Sequence, residues 1–439
     1  MADTLKNLVA RLYPFAYSVT GQGNDDAIAM FQAELPFTVH EYPSGADLNG
    51  WLVAPAWSVQ KAEIRKDGKL IYDGTISPLG VITLSESFSG TVSLDEMKAH
   101  LFYSDEDPDA IVYHWTALYR PQEKDWGFCV PKRLYDALEE GAYDIDLQTR
   151  EAPGIMKVLD YHLPGNSDRT ILFNAHNCHP FQANDDLSGA AVGIEIMKRL
   201  AALSERRYSY RLVIAPELIG TAFWLDGLEV KEVTNLAYTV MLKSVGNDAP
   251  LKLQESFTGK SLVDQAAHGV FAERFETYES GPFRTIYGND ETVFEAPGFE
   301  IPSISLTRWP FFGYHTDLDT PERLSEARLL ETVDLTVDIC KALEAQTKNV
   351  RLLRQFRGLV CLSHPRYDLY MKAPTPGIDH GDYTDKMANW NRLMNTFPRH
   401  LDGKTDLVDI AKHYDIDIDE LYDYAMCWVD RGLAKVIGG

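Results

Sequence analysis

The stretch that most limits how this 439-residue chain can fold is residues 171–200, ILFNAHNCHPFQANDDLSGAAVGIEIMKRL. The apolar run Ile171, Leu172, Phe173, bounded by polar residues, predicts a buried strand. His176 and His179 stand at its end, and a turn over 180–184 leads to Asp185 and Asp186. Ser188 and Gly189 then open a helix whose small apolar residues, Ala190, Ala191, Ile194 and Met197, recur at helical spacing. Imidazoles and carboxylates at the carboxyl end of a strand, just ahead of a helix, are the ingredients of a metal or active site at the top of an α/β sheet.

The chain is too long for one ordinary core, and two to four domains are expected. Its 45% hydrophobic and 24% charged composition is that of a globular protein, with no apolar run approaching the roughly 18 residues of a membrane span. The N-terminus, MADTLKNLVARLYPFAYSVTG, reads as an amphipathic helix rather than a secretion signal, so the expected location is cytoplasmic. Five scattered cysteines, Cys129, Cys178, Cys340, Cys361 and Cys427, indicate reduced thiols rather than a disulfide framework or a four-cysteine zinc site. A net charge of −23 argues against nucleic acid as a partner.

Taken in order, residues 1–50 predict one or two helices, the second capped by Asn24 or Asp25. Residues 51–150 read as a small β-rich module, with a hairpin turn at Asp67–Gly68 and a capping box at Ser93 and Glu96. Trp51, Trp57, Trp115 and Trp126 are expected in that module's core. From 151 to about 350, the strand-like runs VLDYHL, TILFNAH, YRLVIAPE, AYTVMLK and IPSISLTR alternate with helical segments, which implies a largely parallel sheet between helices. The most regular helix carries its stripe on Leu329, Leu330, Val333, Val337 and Leu343. Beyond 350, a connector with proline and glycine leads to helix (407–414), turn, helix (418–431) and strand, the pattern of a winged helix. Between 401 and 439, nine acids face four bases, so DNA binding is disfavoured there.

Four segments can meet at the top of the sheet: His176 to His179 with Asp185 and Asp186; Glu217 after VIAP; Asp290 and Glu291 in YGNDETVF; and His315 in FFGYHTDLDTPE. Two imidazoles with acids at strand ends form a zinc ligand set with a place left for water.

HEYPSGADLNGW, DWGFC, HNCHPFQANDDLSG, PELIGT and YHTDLDT, in that order, resemble the zinc aminopeptidase clan that includes leucyl aminopeptidases and glutaminyl cyclases. The chain is more similar still to a subgroup with an inserted β-rich module and a C-terminal winged helix, some of it associated with surface-polysaccharide biosynthesis genes. The resemblance implies an α/β/α sandwich with a mixed, mostly parallel sheet. It divides the chain into a catalytic domain (1–50 and 151–350), an insert (51–150) and a connector with winged helix (351–439).

It also implies His176, Asp185, Glu217 and His315 as metal ligands and Glu217 as general base. His179, Asp186 and Asp290 stand as neighbouring or alternative ligands, and Phe311 and Tyr314 form a wall for substrate. The chain departs from the clan in three places. Pro216–Glu217 stands where two acids are expected, leaving Glu291 or Asp290 to supply the missing one. Lys243 occupies the region of a second-metal carboxylate, which favours one zinc over two. Cys178 replaces an aspartate. The expected function is hydrolysis of an amide bond next to a free amino group, in a peptide or an aminoacylated sugar. The alternative is a catalytically inactive metal-binding scaffold or partner-recruiting protein. Partners are a small peptide or aminoacyl substrate, with no nucleic acid and no membrane, and a second copy or another protein meeting the insert or winged helix.

Overall fold

Burial on both faces makes the strand Thr170–His176 the centre of the fold, with all seven of its residues buried. The computed structural model describes residues 4–346, 348–371 and 384–437. In chain order, the strands of the main sheet are β1 (Thr38–Pro43), β2 (Ile155–Leu163), β3 (Thr170–His176), β4 (Ser209–Ala215), β5 (Leu236–Lys243), β6 (Lys252–Gln254), β7 (Ser280–Gly281) and β8 (Ser303–Thr307). They lie side by side as β1-β2-β4-β3-β5-β8-β6-β7. The central four, β4-β3-β5-β8, are parallel, while β1–β2, β2–β4 and β6–β8 are antiparallel pairs. The sheet is thus mixed, with a parallel centre.

Strand alternation divides two cores. Ile171, Phe173 and Ala175 point into the larger one, and Leu172 into the other. The helices are α1 (Leu5–Leu12), α2 (Gln22–Glu34), α3 (Ser188–Ala201), α4 (Ile219–Asp226), α5 (Leu262–Arg274) and α6 (Glu326–Glu344). Buried residues of α1, α3, α5 and α6 fill the larger core, and Trp224 and Leu225 of α4 fill the opposite one. Leu329, Val333, Val337 and Leu343 of α6 are buried as the stripe requires, each worth about 1.5–3 kcal/mol. Helix α2 begins earlier than its sequence implies, with Gly21 at the N-cap. Asn24 is buried instead; its carboxamide accepts from the Ser18 N–H and donates to the carbonyl of Asn177.

The insert is a four-stranded antiparallel sheet, Lys69–Asp73 beside Ala56–Lys66, then Ala142–Ala152, then Phe88–Ser93. Asp67 and Gly68 both take left-handed backbone (φ 51° and 75°), as a two-residue hairpin turn demands. Of the four tryptophans, only Trp126 is fully in the core. Trp51 and Trp115 are exposed and meet Tyr119 edge-on, so the core expectation fails for them. The insert clasps the loop ahead of α6: Tyr113 N–H donates to the His315 carbonyl (2.7 Å), Asp317 N–H donates to the Ile111 carbonyl (3.0 Å), and the Asp317 carboxylate accepts from Ile111 N–H (2.9 Å).

After 350, Arg351–Arg354 lies between Asp402–Asp406 and Ala434–Ile437, and the helices α7 (Asp385–His400), α8 (Leu407–Tyr414) and α9 (Ile418–Asp430) pack on a separate core around Trp390, Phe397 and Trp428. The helix, turn, helix and strand read from the sequence over this region form. Residues 372–383 of the connector lie outside the described residues. Asp406 is paired with the buried Arg169 (2.8 Å), which sits just before β3, so this unit docks at the amino ends of the strands.

A charged knot ties β1, β2, β4 and α4. The buried Asp160 carboxylate accepts from Arg211 (2.8 and 2.5 Å), Trp224 Nε1 (3.0 Å) and His40 (3.1 Å). Burial opposes its charge, but these donors outweigh burial and hold its pKa at about 2. Because the folded value lies below the unfolded one, this stabilisation is present above about pH 4 and is lost as pH falls through about 2. It amounts to about 2–3 kcal/mol. Asp160→Asn is expected to cost about 3 kcal/mol at pH 7, read by urea denaturation, with the gap to wild type closing toward pH 2.

Candidate metal centre

The carboxyl ends of β3, β4 and β5 present a buried polar turn that needs its backbone satisfied before it can present side chains. Asp319, from the loop ahead of α6, accepts the N–H groups of Asn184 (2.7 Å) and Asp185 (2.9 Å). Asn184 accepts from Gly246 N–H, and Ser188 Oγ donates to the Asn184 carbonyl. The Asp185–Asp186 peptide is cis, and the two side chains diverge. Asp186 turns back to accept from the N–H groups of His176 (3.1 Å) and Ser244 (3.0 Å), and burial pushes its pKa up to about 7. Gly189 is required here: a Cβ would lie 2.0 Å from the Leu242 carbonyl and 2.7 Å from an Asp186 oxygen.

Asp185 faces the other way. Its Oδ2 lies 3.4 Å from His315 Nε2 and 3.8 Å from His179 Nε2, and one donor atom of each residue lies within 4.8 Å of the others. His179 Nδ1 donates to the Pro180 carbonyl (2.9 Å), which leaves the Nε2 lone pair free. Both Asp185 carboxylate oxygens are buried; Oδ1 is paired with the Lys243 ammonium, while Oδ2, facing the two imidazoles, makes no hydrogen bond among the described residues. Arms of about 2.0–2.1 Å set a tetrahedral zinc site's edges at roughly 3.3 Å, so the two short separations suit such an ion with little movement. Burial pushes the His315 pKa down, which favours the neutral imidazole that a metal needs. Aromatic rings hold both histidines: Tyr113 stacks on His179 (4.5 Å), Tyr314 on His315 (3.8 Å).

His176 is not part of this cluster. It shares strand parity with Leu172 and Asn174, so its ring points to the α4 side of the sheet. There Nε2 faces Asp290 (3.3 Å), and Nδ1 accepts from Lys243 (3.3 Å). The turn after β3 brings His179 back to the place expected for His176. Asp290 is fixed by the Leu218 N–H (2.6 Å) and the Thr221 hydroxyl. Glu217 also stands outside the three-donor cluster, 3.6 Å from Lys243 and 3.8 Å from His176.

Lys243 is 2% exposed, with its ammonium 2.5 Å from Asp185 Oδ1. Burial works against that charge, but Asp185 and Glu217 prevail and hold the lysine pKa well above its usual value. The same ammonium keeps the Asp185 carboxyl well below its usual range despite burial. Glu291 points elsewhere, accepting from Asn289 N–H (2.9 Å) and Gln254 (3.3 Å), and burial pushes it up to about 7. Phe311 and Tyr314 belong to an aromatic wall with Trp309 and Tyr287, whose hydroxyl meets that of Tyr314 at 2.5 Å. Four non-glycine residues around the site, Phe181, Leu218, Ser244 and His315, take left-handed backbone, a concentration of strain typical of functional sites. Sequence reasoning missed Tyr113, Tyr287 and Asp319; the position of Asp319 in YHTDLDT was the one available signal.

Residues 6–346 match the family model of a domain of unknown function, DUF4910. A Clostridium acetobutylicum protein, provisionally named a polysaccharide biosynthesis protein with aminopeptidase-like domain, is 28% identical over 341 residues, 77% of this chain and 77% of its own length. Among solved structures, a provisionally assigned peptidase from C. acetobutylicum aligns with TM-score 0.70 and 25% identity over 99% of this chain and 96% of that one. A zinc aminopeptidase from Bacillus subtilis aligns with TM-score 0.58 and 14% identity over 76% and 93%. The M28 peptidase precursor of Shewanella amazonensis gives 0.57 and 14% over 77% and 92%. The last two establish a shared fold. With the family model spanning most of its length, the chain belongs to the DUF4910 family, built on the aminopeptidase-like fold.

Proposed function

We propose that the chain is a metal-dependent hydrolase holding one zinc ion on His179, Asp185 and His315. It would cleave an amide bond next to a free amino group in a peptide or aminoacyl substrate. The observation that carries this reading is the convergence of two imidazole nitrogens on a buried carboxylate oxygen, Asp185 Oδ2, that makes no hydrogen bond among the described residues. Two nitrogens and one oxygen are a zinc donor set that leaves a position for water or substrate. When bound, zinc would supply a Lewis acid and an activated water near neutral pH.

The residues of the chain divide the remaining work. Glu217, part-exposed beside the cluster, is suited to take the proton from the attacking water on a carboxylate oxygen. Lys243 holds Asp185 ionised. It also fills the space between Asp185, Glu217 and His176 that a second cation would need, which supports one metal rather than two. Asp290 and Thr221 fix His176, which accepts from Lys243 and so positions the ammonium. Phe311 and Tyr314 provide an apolar wall for one side of the substrate. Glu291, turned away and fully buried, fits a structural part rather than that of the base.

Metal analysis tests the ligand set. Purified protein is expected to carry about one zinc per chain, lost in His179→Ala, Asp185→Ala and His315→Ala but retained in His176→Ala. Lys243→Ala opens a second donor set and is expected to raise the content toward two. Loss of zinc in His176→Ala with retention in His179→Ala would reverse the assignment. With aminoacyl-p-nitroanilides, Glu217→Gln should lower kcat about 10²–10⁴-fold with zinc content unchanged. A zinc-loaded wild type that cleaves no aminoacyl substrate would instead favour a binding scaffold. Glu291 has a folded pKa raised above its unfolded value. Its stabilisation is therefore complete below about pH 4 and is lost as pH rises through about 7. Glu291→Gln should flatten that loss and make the protein about 3 kcal/mol more stable than wild type at pH 8, read by thermal unfolding.

A further inference from the structure

On the insert side of the metal centre lies a cavity of about 400 Å³, within the range that holds small-molecule groups. Three distant parts of the chain wall it: the segment ahead of α2, the insert around Trp57 and residues 74–83, and Cys178 and Pro180 on either side of His179. Tyr113 belongs to both places, lining the cavity while its ring stacks on His179 and meets His315 edge-on. Asn24 ties the N-terminal wall to the metal loop through Ser18 and Asn177. The cavity is therefore held in register with the three-donor cluster.

None of its lining residues carries a charge, in a chain where 24% of residues do. An ionised group entering it would shed water and find no counter-ion. The walls combine aliphatic carbon (Val19, Val59, Leu79, Val81) with uncharged hydroxyls from serine, threonine and tyrosine. They suit an uncharged side chain, apolar or hydroxylated, whose polar atoms find partners on the wall. Across the two histidines, Tyr314 and Phe311 form the opposite flank.

We propose that this cavity receives the uncharged side chain of the residue on the leaving side of the bond cleaved at the metal centre, with the other side packed on the aromatic wall. The proposal rests on the hydrolase reading, and its test separates the two. Amide hydrogen exchange of the wall segment 74–83 reports occupancy without turnover and, read by peptide mass spectrometry, should slow at least fivefold with saturating N-acetyl-leucinamide. N-acetyl-lysinamide, N-acetyl-glutamic acid amide and methyl glucoside should leave it unchanged. Zinc-loaded enzyme should cleave Leu-Leu and Leu-Tyr at least tenfold faster in kcat/KM than Leu-Glu and Leu-Lys. Ser58→Lys, at the cavity wall, should shift that preference toward Leu-Glu about tenfold. No protection by N-acetyl-leucinamide, equal protection by the charged amides, or protection by methyl glucoside alone would overturn the proposal even if dipeptides are cleaved. Selective protection with no cleavage would leave the cavity a pocket for uncharged side chains and remove the hydrolase reading.

Discussion

A lysine ammonium buried at the end of a central strand is the interaction around which the top of this molecule is arranged. Moving such a charge out of water costs several kcal/mol unless anions meet it, and here Asp185 meets it at contact distance with Glu217 nearby. Asp185 is thereby committed on one oxygen to an internal cation and on the other to the two histidines. Removing either partner would strand the other in a low-dielectric layer. The turn that carries Asp185 is equally dependent, because its N–H groups find their acceptor only in Asp319, more than a hundred residues later. Placement of the three-donor cluster and the fold are therefore a single problem in this chain.

Much of the architecture was legible because hydrophobic spacing speaks directly to layers. The all-buried β3, the α6 stripe, the Asp67–Gly68 hairpin and the terminal helix pair each follow from local pattern. Asp185 and His315 could be singled out because they recur in order at strand ends. The choice between His176 and His179 could not be made with the same ease. Strand parity sends His176 toward Thr221 and Asp290, while the return of His179 depends on a turn whose conformation is set by distant acceptors.

Tyr113 and Asp319 were illegible for a different reason. Their importance lies in what they touch across long sequence separations, and neither residue type is unusual for a loop. The exposed Trp51 and Trp115 mark a similar limit, since size alone sends a tryptophan inward only when the module has room for it. Glu291 looked chemical from its company in the sequence, yet the short helix that begins there turns its carboxylate toward Gln254.

The contact between Asp406 and Arg169 has a mechanical consequence. Arg169 immediately precedes the strand whose far end carries the loop of His179 and Asp185, and seven residues of strand separate the two by roughly 20 Å. With Arg351 on the Thr234 carbonyl and Lys412 on the Lys260 carbonyl, this contact gathers polar contacts of the terminal unit away from the mouth above. A partner that gripped the tail would therefore meet the body at the pole opposite the opening.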